Sequence, residues 1–286
     1  MRLIALLLSL LFGADVAIAQ QMTERSSDIT RLTRAAGGLL RIEDPHAAVE
    51  VRFVDRPSAE TQIQVIYGAT DATLFDQLEL VVETDESGLL SIDVVGPSET
   101  RGSSWRVELI DITMTMPDRI EIDGGQGDVG IFGFAPATPG PASKPVEPPV
   151  FGLWMDAQEP SRINTTDGDI TLGRCRGPFV LRSTRGDISA EYHRGAIDIQ
   201  SDFGDVTALG LVAPFGVWAN RGDVEITVIE PPAGGIRALT TRGRIEIGEG
   251  VSLLDATTPL RRRDGEIVSI VTTSTGDIEI RRITSR

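Results

Sequence analysis

The chain has 286 residues, 41% of them hydrophobic and 5% aromatic, with one cysteine and a formal net charge of −15. So acidic a chain is repelled by nucleic acid and by anionic lipid, which argues against both as partners. A single cysteine, Cys175, excludes an intrachain disulfide, so stability has to come from the core and from backbone pairing.

Residues 1–19 are expected to be a secretory signal peptide. Arg2 supplies the positive start, Leu3 to Phe12 the apolar run, and Ala17-Ile18-Ala19 a small-x-small cleavage site. The run is shorter than the ~20 residues that span a bilayer. No cysteine follows the site and no later stretch is long enough, so no lipid or transmembrane anchor is predicted. The mature chain is expected in the periplasm or outside the cell. Residues 20–36 are expected as an N-terminal extension, within which 22–36 predicts a short helix with Ile29 and Leu32 inward, closed by Gly37.

From 37 onward the pattern is β. "GGLLRIED", "AAVEVRFV", "TQIQVIYG", "QLELVVET", "GLLSIDVV", "WRVELIDITMTMP" and "RIEIDGGQGDVGIFG" all alternate apolar and polar residues, which predicts half-buried strands. Residues 134–160 hold seven of the sixteen prolines and interrupt this pattern. Proline cannot donate to a ladder, so the segment reads as a loop. It is expected as an insertion in one β domain, 37–286, because Gly-Asp-Val or Gly-Asp-Ile turns stand on both sides of it. A divider between two domains is the alternative.

Residues 165–227 cut into nonads: TTDGDITLG, RCRGPFVLR, STRGDISAE, YHRGAIDIQ, SDFGDVTAL, GLVAPFGVW, ANRGDVEIT. Glycine holds the fourth place in six of the seven, and apolar or alanine residues hold the sixth and eighth. This is a tight turn followed by a short strand. Odd nonads carry Gly-Asp, so the full unit is eighteen residues with two strands. The structural turn repeat comprises Gly127-Asp128, Gly168-Asp169, Gly186-Asp187, Gly204-Asp205, Gly222-Asp223 and Gly276-Asp277. After 227 the rhythm loosens, with Arg244 standing where aspartate would follow Gly243. Two all-β folds fit: a solenoid with 18-residue coils, in which equivalent residues stack at ladder spacing, or an antiparallel meander or sandwich. Small residues recur where a coil would bend (Ser183, Ser201, Ala219), which favours the solenoid.

"ITMTMPDRIEIDGGQGDVGI", the following Gly-Asp-Ile ladder and the opening "GGLLRIED" resemble a bacterial domain-of-unknown-function family of exported proteins labelled "putative adhesins". The likeness covers roughly residues 37–281. The Pro-rich insertion departs from it, as does Ala47-Ala48 where the family carries glycine. The resemblance implies a single-stranded right-handed parallel β-helix and little about molecular activity, and it carries over no catalytic residues.

A column of stacked aspartates repels itself. A calcium ion between coils would relieve the repulsion, but the repeat leads from Asp straight into an apolar strand position, unlike calcium-binding nonapeptide rolls. The favoured reading is that each Asp accepts a hydrogen bond from a nearby turn N–H, and no cofactor or metal is expected. Arg185-Gly186-Asp187 and Arg221-Gly222-Asp223 spell a receptor-binding tripeptide, but the repeat itself supplies their Gly-Asp. His193 with Tyr192, Asp198 and Asp202 is the one constellation that suggests catalysis. Trp154 and Trp218 are candidate interaction residues. The expectation is therefore a non-enzymatic envelope or periplasmic protein acting in adhesion, protein interaction or structure. Its partner would be an envelope protein or a surface glycan. The alternative is a carbohydrate-active lyase or hydrolase on the same scaffold.

Overall fold

Apolar-polar alternation becomes strand along most of the chain in a computed structural model. It describes residues 24–33, 38–43, 47–54, 60–85, 89–97, 101, 104–115, 117–133, 159–212, 214–232, 235–254 and 268–283. The expected signal peptide, nearly all of the Pro-rich segment and Trp154 lie outside the described residues.

The first part of the described chain holds β1 (Glu24–Thr33), β2 (Leu39–Glu43), β3 (Ala48–Phe53), β4 (Glu60–Ala69), a 3-10 helix (Ala72–Gln77), β5 (Glu79–Thr84), β6 (Leu90–Val95) and β7 (Trp105–Met114). Short strands then come in pairs. These are β8 (Arg119–Asp123) with β9 (Val129–Phe132), β10 (Ser161–Thr165) with β11 (Ile170–Gly173), and β12 (Phe179–Arg185) with β13 (Ile188–Glu191). The pairs continue with β14 (Ile197–Phe203) and β15 (Val206–Leu211), then β16 (Phe215–Arg221) and β17 (Val224–Val228). Last come β18 (Ile236–Arg242), β19 (Ile245–Ile247), β20 (Ser269–Thr275) and β21 (Ile278–Arg282).

Among the described residues these strands form two large mixed sheets, so the chain is all-β. One has eleven strands in the order β1-β4-β7-β3-β9-β11-β13-β15-β17-β21-β19. The other has ten, in the order β18-β20-β16-β14-β12-β10-β8-β2-β6-β5. From β8 to β21 the two strands of each pair lie in different sheets, and every pairing among them is parallel. In the eleven-stranded sheet Ile170 faces Ile188, Ile188 faces Val206, and Val206 faces Val224. In the other, Phe179 faces Ile197 and Ile197 faces Phe215. The inward side chains of these strands are buried: Ile170, Leu181, Ile199, Val206 and Ile226 are all 0% exposed. Antiparallel pairing is confined to β1, β4, β5 and their partners β7 and β6.

Of the segment 22–36, where a helix was expected, the described residues 24–33 are strand. β1 runs through them and pairs antiparallel with β4 over ten residues, from Glu24 opposite Ala69 to Thr33 opposite Glu60. A segment with Ser26, Ser27, Thr30 and Thr33 has little intrinsic helicity, and the unpaired edge of β4 gives its backbone a full ladder of partners.

The corner between paired strands is tight. At Gly186, Gly204 and Gly222 φ lies near +150°, and a Cβ would fall about 2.1–2.2 Å from the carbonyl oxygen of the preceding unit's glycine. Backbone cannot retreat from such a clash, so only glycine fits. The small hydroxyl residues beside the corner serve the same carbonyls: Thr165 Oγ1 and Ser183 Oγ donate to Gly168 O at 2.7 and 3.2 Å, and Ser201 Oγ to Gly204 O at 3.2 Å. These carbonyls lie at the end of a strand, where the sheet ladder gives them no partner.

Candidate functional site

The aspartate column runs along these corners. Asp128 Oδ1 accepts the backbone N–H of Asp169 at 2.9 Å, and Asp169 Oδ1 that of Asp187 at 2.7 Å. Asp187 accepts from Asp205, and Asp205 from Asp223, each at 2.8 Å. Asp223 accepts from Asp277 at 2.7 Å, and Asp277 from Arg244 at 2.8 Å. Each carboxylate thus ties its own unit to the next, and the ladder ends at the residue that has no carboxylate to offer. Among the described residues no group of three His, Cys, Asp or Glu side chains could hold a metal ion.

Both Arg-Gly-Asp tripeptides sit in this corner, with their charged ends engaged. Arg185 Nη2 donates to Asp167 Oδ2 at 2.7 Å, holding the Asp167 carboxyl below its usual range, while Asp187 carries the ladder. Arg221 lies 5.2 Å from the centre of the Phe203 ring, a cation–π contact. Neither copy stands on a protruding loop.

His193, Tyr192, Asp198 and Asp202 occupy different settings. His193 is 1% exposed and stands inside a corner, edge-on to Phe179 with ring centroids 5.5 Å apart. Its nitrogens face the backbone of Gly177, Ala196 and Cys175 without a well-aligned hydrogen bond, and burial pushes its pKa down to about 4. Tyr192 is 47% exposed, and Asp202 is exposed at the far end of β14. Cys175, one unit before His193, is buried too. Its thiol donates to Gly173 O at 3.4 Å, and burial pushes it up to about 12, too high for a reactive thiolate. His193 and Cys175 are core residues of the corner.

Trp218 belongs to a different setting. It stands on the outer face of β16, half-buried, with its six-membered ring over Gly216; a Cβ at 216 would come within 2.5 Å of the indole. Across the sheet Gly216 faces Asp198 and Trp218 faces Gln200, which faces Arg182, which faces Asn164. Asp198 Oδ2 accepts Gln200 Nε2 at 3.4 Å, whereas Oδ1 is enclosed without a partner. Burial raises the Asp198 carboxyl to about 6, with Arg182 and the Gln200 amide opposing the shift. The sequence reading singled out Trp218 but put Asp198 with His193. Their eighteen-residue offsets (Asn164, Arg182, Gln200, Trp218) were already readable as one column. Elsewhere a depression of about 330 Å³ is lined by Glu83, Thr84, Asp85, Leu89 and Ser91, far from these groups in sheet order.

No protein-family model matches the chain, and no curated protein matches it. Among solved structures it is similar to a "putative adhesin" from Bacteroides fragilis, at 11% identity and TM-score 0.44, covering 90% of this chain and 97% of that one. It is similar to another from Parabacteroides distasonis at 10% identity and TM-score 0.44, covering 89% and 97%. A "putative lipid binding protein" from the same organism gives 12% identity, TM-score 0.37, and coverage of 90% and 97%. No helix of the described residues is long and apolar enough to cross a membrane.

Proposed function

We propose that the chain is an exported, non-enzymatic protein of the bacterial envelope or periplasm, whose sheet faces serve adhesion, protein interaction or structure. We read its two sheets as flanks of a single-stranded right-handed parallel β-helix with 18-residue coils. The fold reading is supported by the parallel pairings offset by eighteen residues, and by strands that alternate between the sheets. Crossovers between parallel strands are right-handed in nearly all proteins. The leader-like residues 1–19 support export.

The observation that carries the functional reading is the use of the repeat's own polar residue. Each Gly-Asp carboxylate from Asp128 to Asp277 is an acceptor for the next unit's backbone. The most regular feature of the sequence is thereby assigned to holding the stack, and the turn residues Gly127 to Asp277 to structure. What remains for function is the outward side chains of the strands.

The test incubates folded mature protein, residues 20–286, with washed envelope preparations. Saturable retention without release of reducing ends or unsaturated sugars is expected. Absence of retention overturns the reading, and release of either product favours the lyase or hydrolase alternative.

A further inference from the structure

β1, β5, β18 and β19 form the outer limits of the two sheets, and they are not alike. The outer edge of β18 is partly taken, since Ile236 N–H donates to Ser252 O and Leu254 N–H to Ile236 O. β19 has three residues and β5 six. β1 has ten, pairs with β4 without a register shift, and contains neither proline nor lysine. A long, regular edge without such blocking devices is a template for another strand. Ile29, near the middle of β1, is 53% exposed, the highest value for a large hydrophobic side chain among the described residues. The neighbouring ladder shows which backbone groups of β1 are left over. Thr70 N–H donates to Ser104 O at 2.9 Å, on the β7 side of β4. Successive residues of a strand turn their N–H and C=O groups to opposite edges, so Tyr67, Val65 and Ile63 turn toward β1. Their partners there are Ser26, Asp28 and Thr30. Ser27, Ile29 and Arg31 therefore turn their backbone groups to the open edge.

A second copy of β1 fits this edge. A two-fold axis normal to the sheet keeps the faces of the two copies continuous, so odd-numbered residues meet odd and even meet even. Two such registers overlap most. One is centred on Asp28, and it sets Asp28 against Asp28 and Arg25 against Arg31, like charges in both cases. The other is centred on Ile29. It sets Ile29 against Ile29, Ser27 against Arg31 and Asp28 against Thr30, with no like charges opposed. Like charges directly opposite are destabilising, whereas a pair of β-branched apolar residues is favourable, so the second register wins. In it the backbone groups of Ser27, Ile29 and Arg31, which β4 leaves unpaired, all find partners. We propose that the chain forms a two-fold dimer by antiparallel pairing of β1 with β1 of a second copy, centred on Ile29. The two eleven-stranded sheets thereby become one, whatever the outer faces of the strands bind.

Mature protein, residues 20–286, would be followed by sedimentation velocity over a concentration series, and a monomer–dimer equilibrium in the micromolar range is expected. Ser27→Pro removes an N–H that faces the open edge and leaves the β1–β4 ladder intact. Ile29→Lys brings two ammonium groups together at the two-fold axis. Each is expected to weaken dimerisation about tenfold or more, while the thermal midpoint, taken where wild type is monomeric, stays within a few degrees. Cysteine variants read the register, because Cys175 is buried and does not compete. Ile29→Cys should link to its own copy under mild oxidation. Arg25→Cys should not, since the two copies of position 25 lie about 27 Å apart along the strands. A monomer at every concentration, dimerisation unchanged in Ser27→Pro and Ile29→Lys, or linkage of Arg25→Cys as fast as of Ile29→Cys overturns the proposal. So does an envelope protein captured on Ile29→Cys in place of the self-linked dimer, which would give the edge to a foreign strand.

Discussion

In the middle of the stack, strands adjacent in space belong to units adjacent in sequence; at both ends they do not. Among β10 to β17 the strands of each unit pair with those of the next at an offset of eighteen residues, apart from the shift at Leu211. At the C-terminal end the last unit, β20 and β21, is inserted between β16–β17 and β18–β19. At the other end β2 and β3, early in the chain, lie between β6–β7 and β8–β9. β2, β3, β20 and β21 are thus covered on two sides, while β1, β5, β18 and β19 form the outer limits of the sheets.

The order at the C-terminal end coincides with the end of the aspartate ladder. A corner aspartate continues the aspartate ladder because it both donates an N–H and offers a carboxylate. Asp277 does both, receiving from Arg244 and giving to Asp223. Arg244 gives its N–H and, in place of a carboxylate, a guanidinium that pairs with Asp277 Oδ2 at 3.1 Å. The unit with Arg244 ends the aspartate ladder, and it stands last although the chain reaches it earlier.

The largest expected effect tests this order in the core. Ile278 is 0% exposed and stands beside Ile245, the outermost residue of the same inner column, which is 37% exposed. If the terminal strand is interior, Ile278→Ala should cost about 3 kcal/mol, the range for a buried Ile truncation. Ile245→Ala should cost about 1 kcal/mol or less, since much of its surface already meets water. Urea midpoints with unchanged slopes would measure both. Equal costs, or the larger cost at Ile245, would mean that the chain stacks in sequence order instead.

How much of this could be read in the sequence follows from the same residues. The period and inward positions were legible because Ile188, Val206 and Val224 repeat one environment eighteen residues apart, and sheet pairing preserves that offset. Spatial order was not legible from periodicity, since every unit with glycine at the corner and apolar residues after it can stack on any other. At the C-terminal end the departure at Arg244 marks where the ladder stops. β1 was misread because nothing within 22–36 announces an open edge on β4; the partner decides the conformation. At the candidate site Trp218 was visible as an unusual residue. Asp198 is near His193 in sequence, but it stands on the outward side of β14 while His193 is buried inside the preceding corner.

The second prediction concerns the middle. The folded state keeps His193 neutral, with its pKa lowered from 6.5 to about 4. Between these values the unfolded chain binds a proton that the folded chain excludes. The stabilisation is thus complete above about pH 6.5 and is lost as pH falls toward 4, by a few kcal/mol at most. Leu211 holds the same place one repeat further on and is buried as well. Asp198, raised to about 6, contributes the opposite slope below that pH. His193→Leu should therefore make the urea midpoint rise less, or fall more, with pH between 4 and 6.5 than in wild type. An unchanged pH profile would show that the proton enters the corner without penalty.

The smallest effect separates two views of the aspartate ladder. Neighbouring carboxylates repel one another, yet each also accepts an N–H that the sheet leaves unpaired. Asp187→Asn keeps the accepting oxygen and removes the charge; Asp187→Ala removes both. If the hydrogen bond to Asp205 N–H is what matters, the alanine variant should lose about 1 kcal/mol and the asparagine variant only a few tenths. Should repulsion dominate, both variants would be more stable than wild type, most visibly at low salt, where exposed charges are least screened. Because Asp187 completes one of the Arg-Gly-Asp tripeptides, the same pair of variants asks whether that aspartate is kept for the stack.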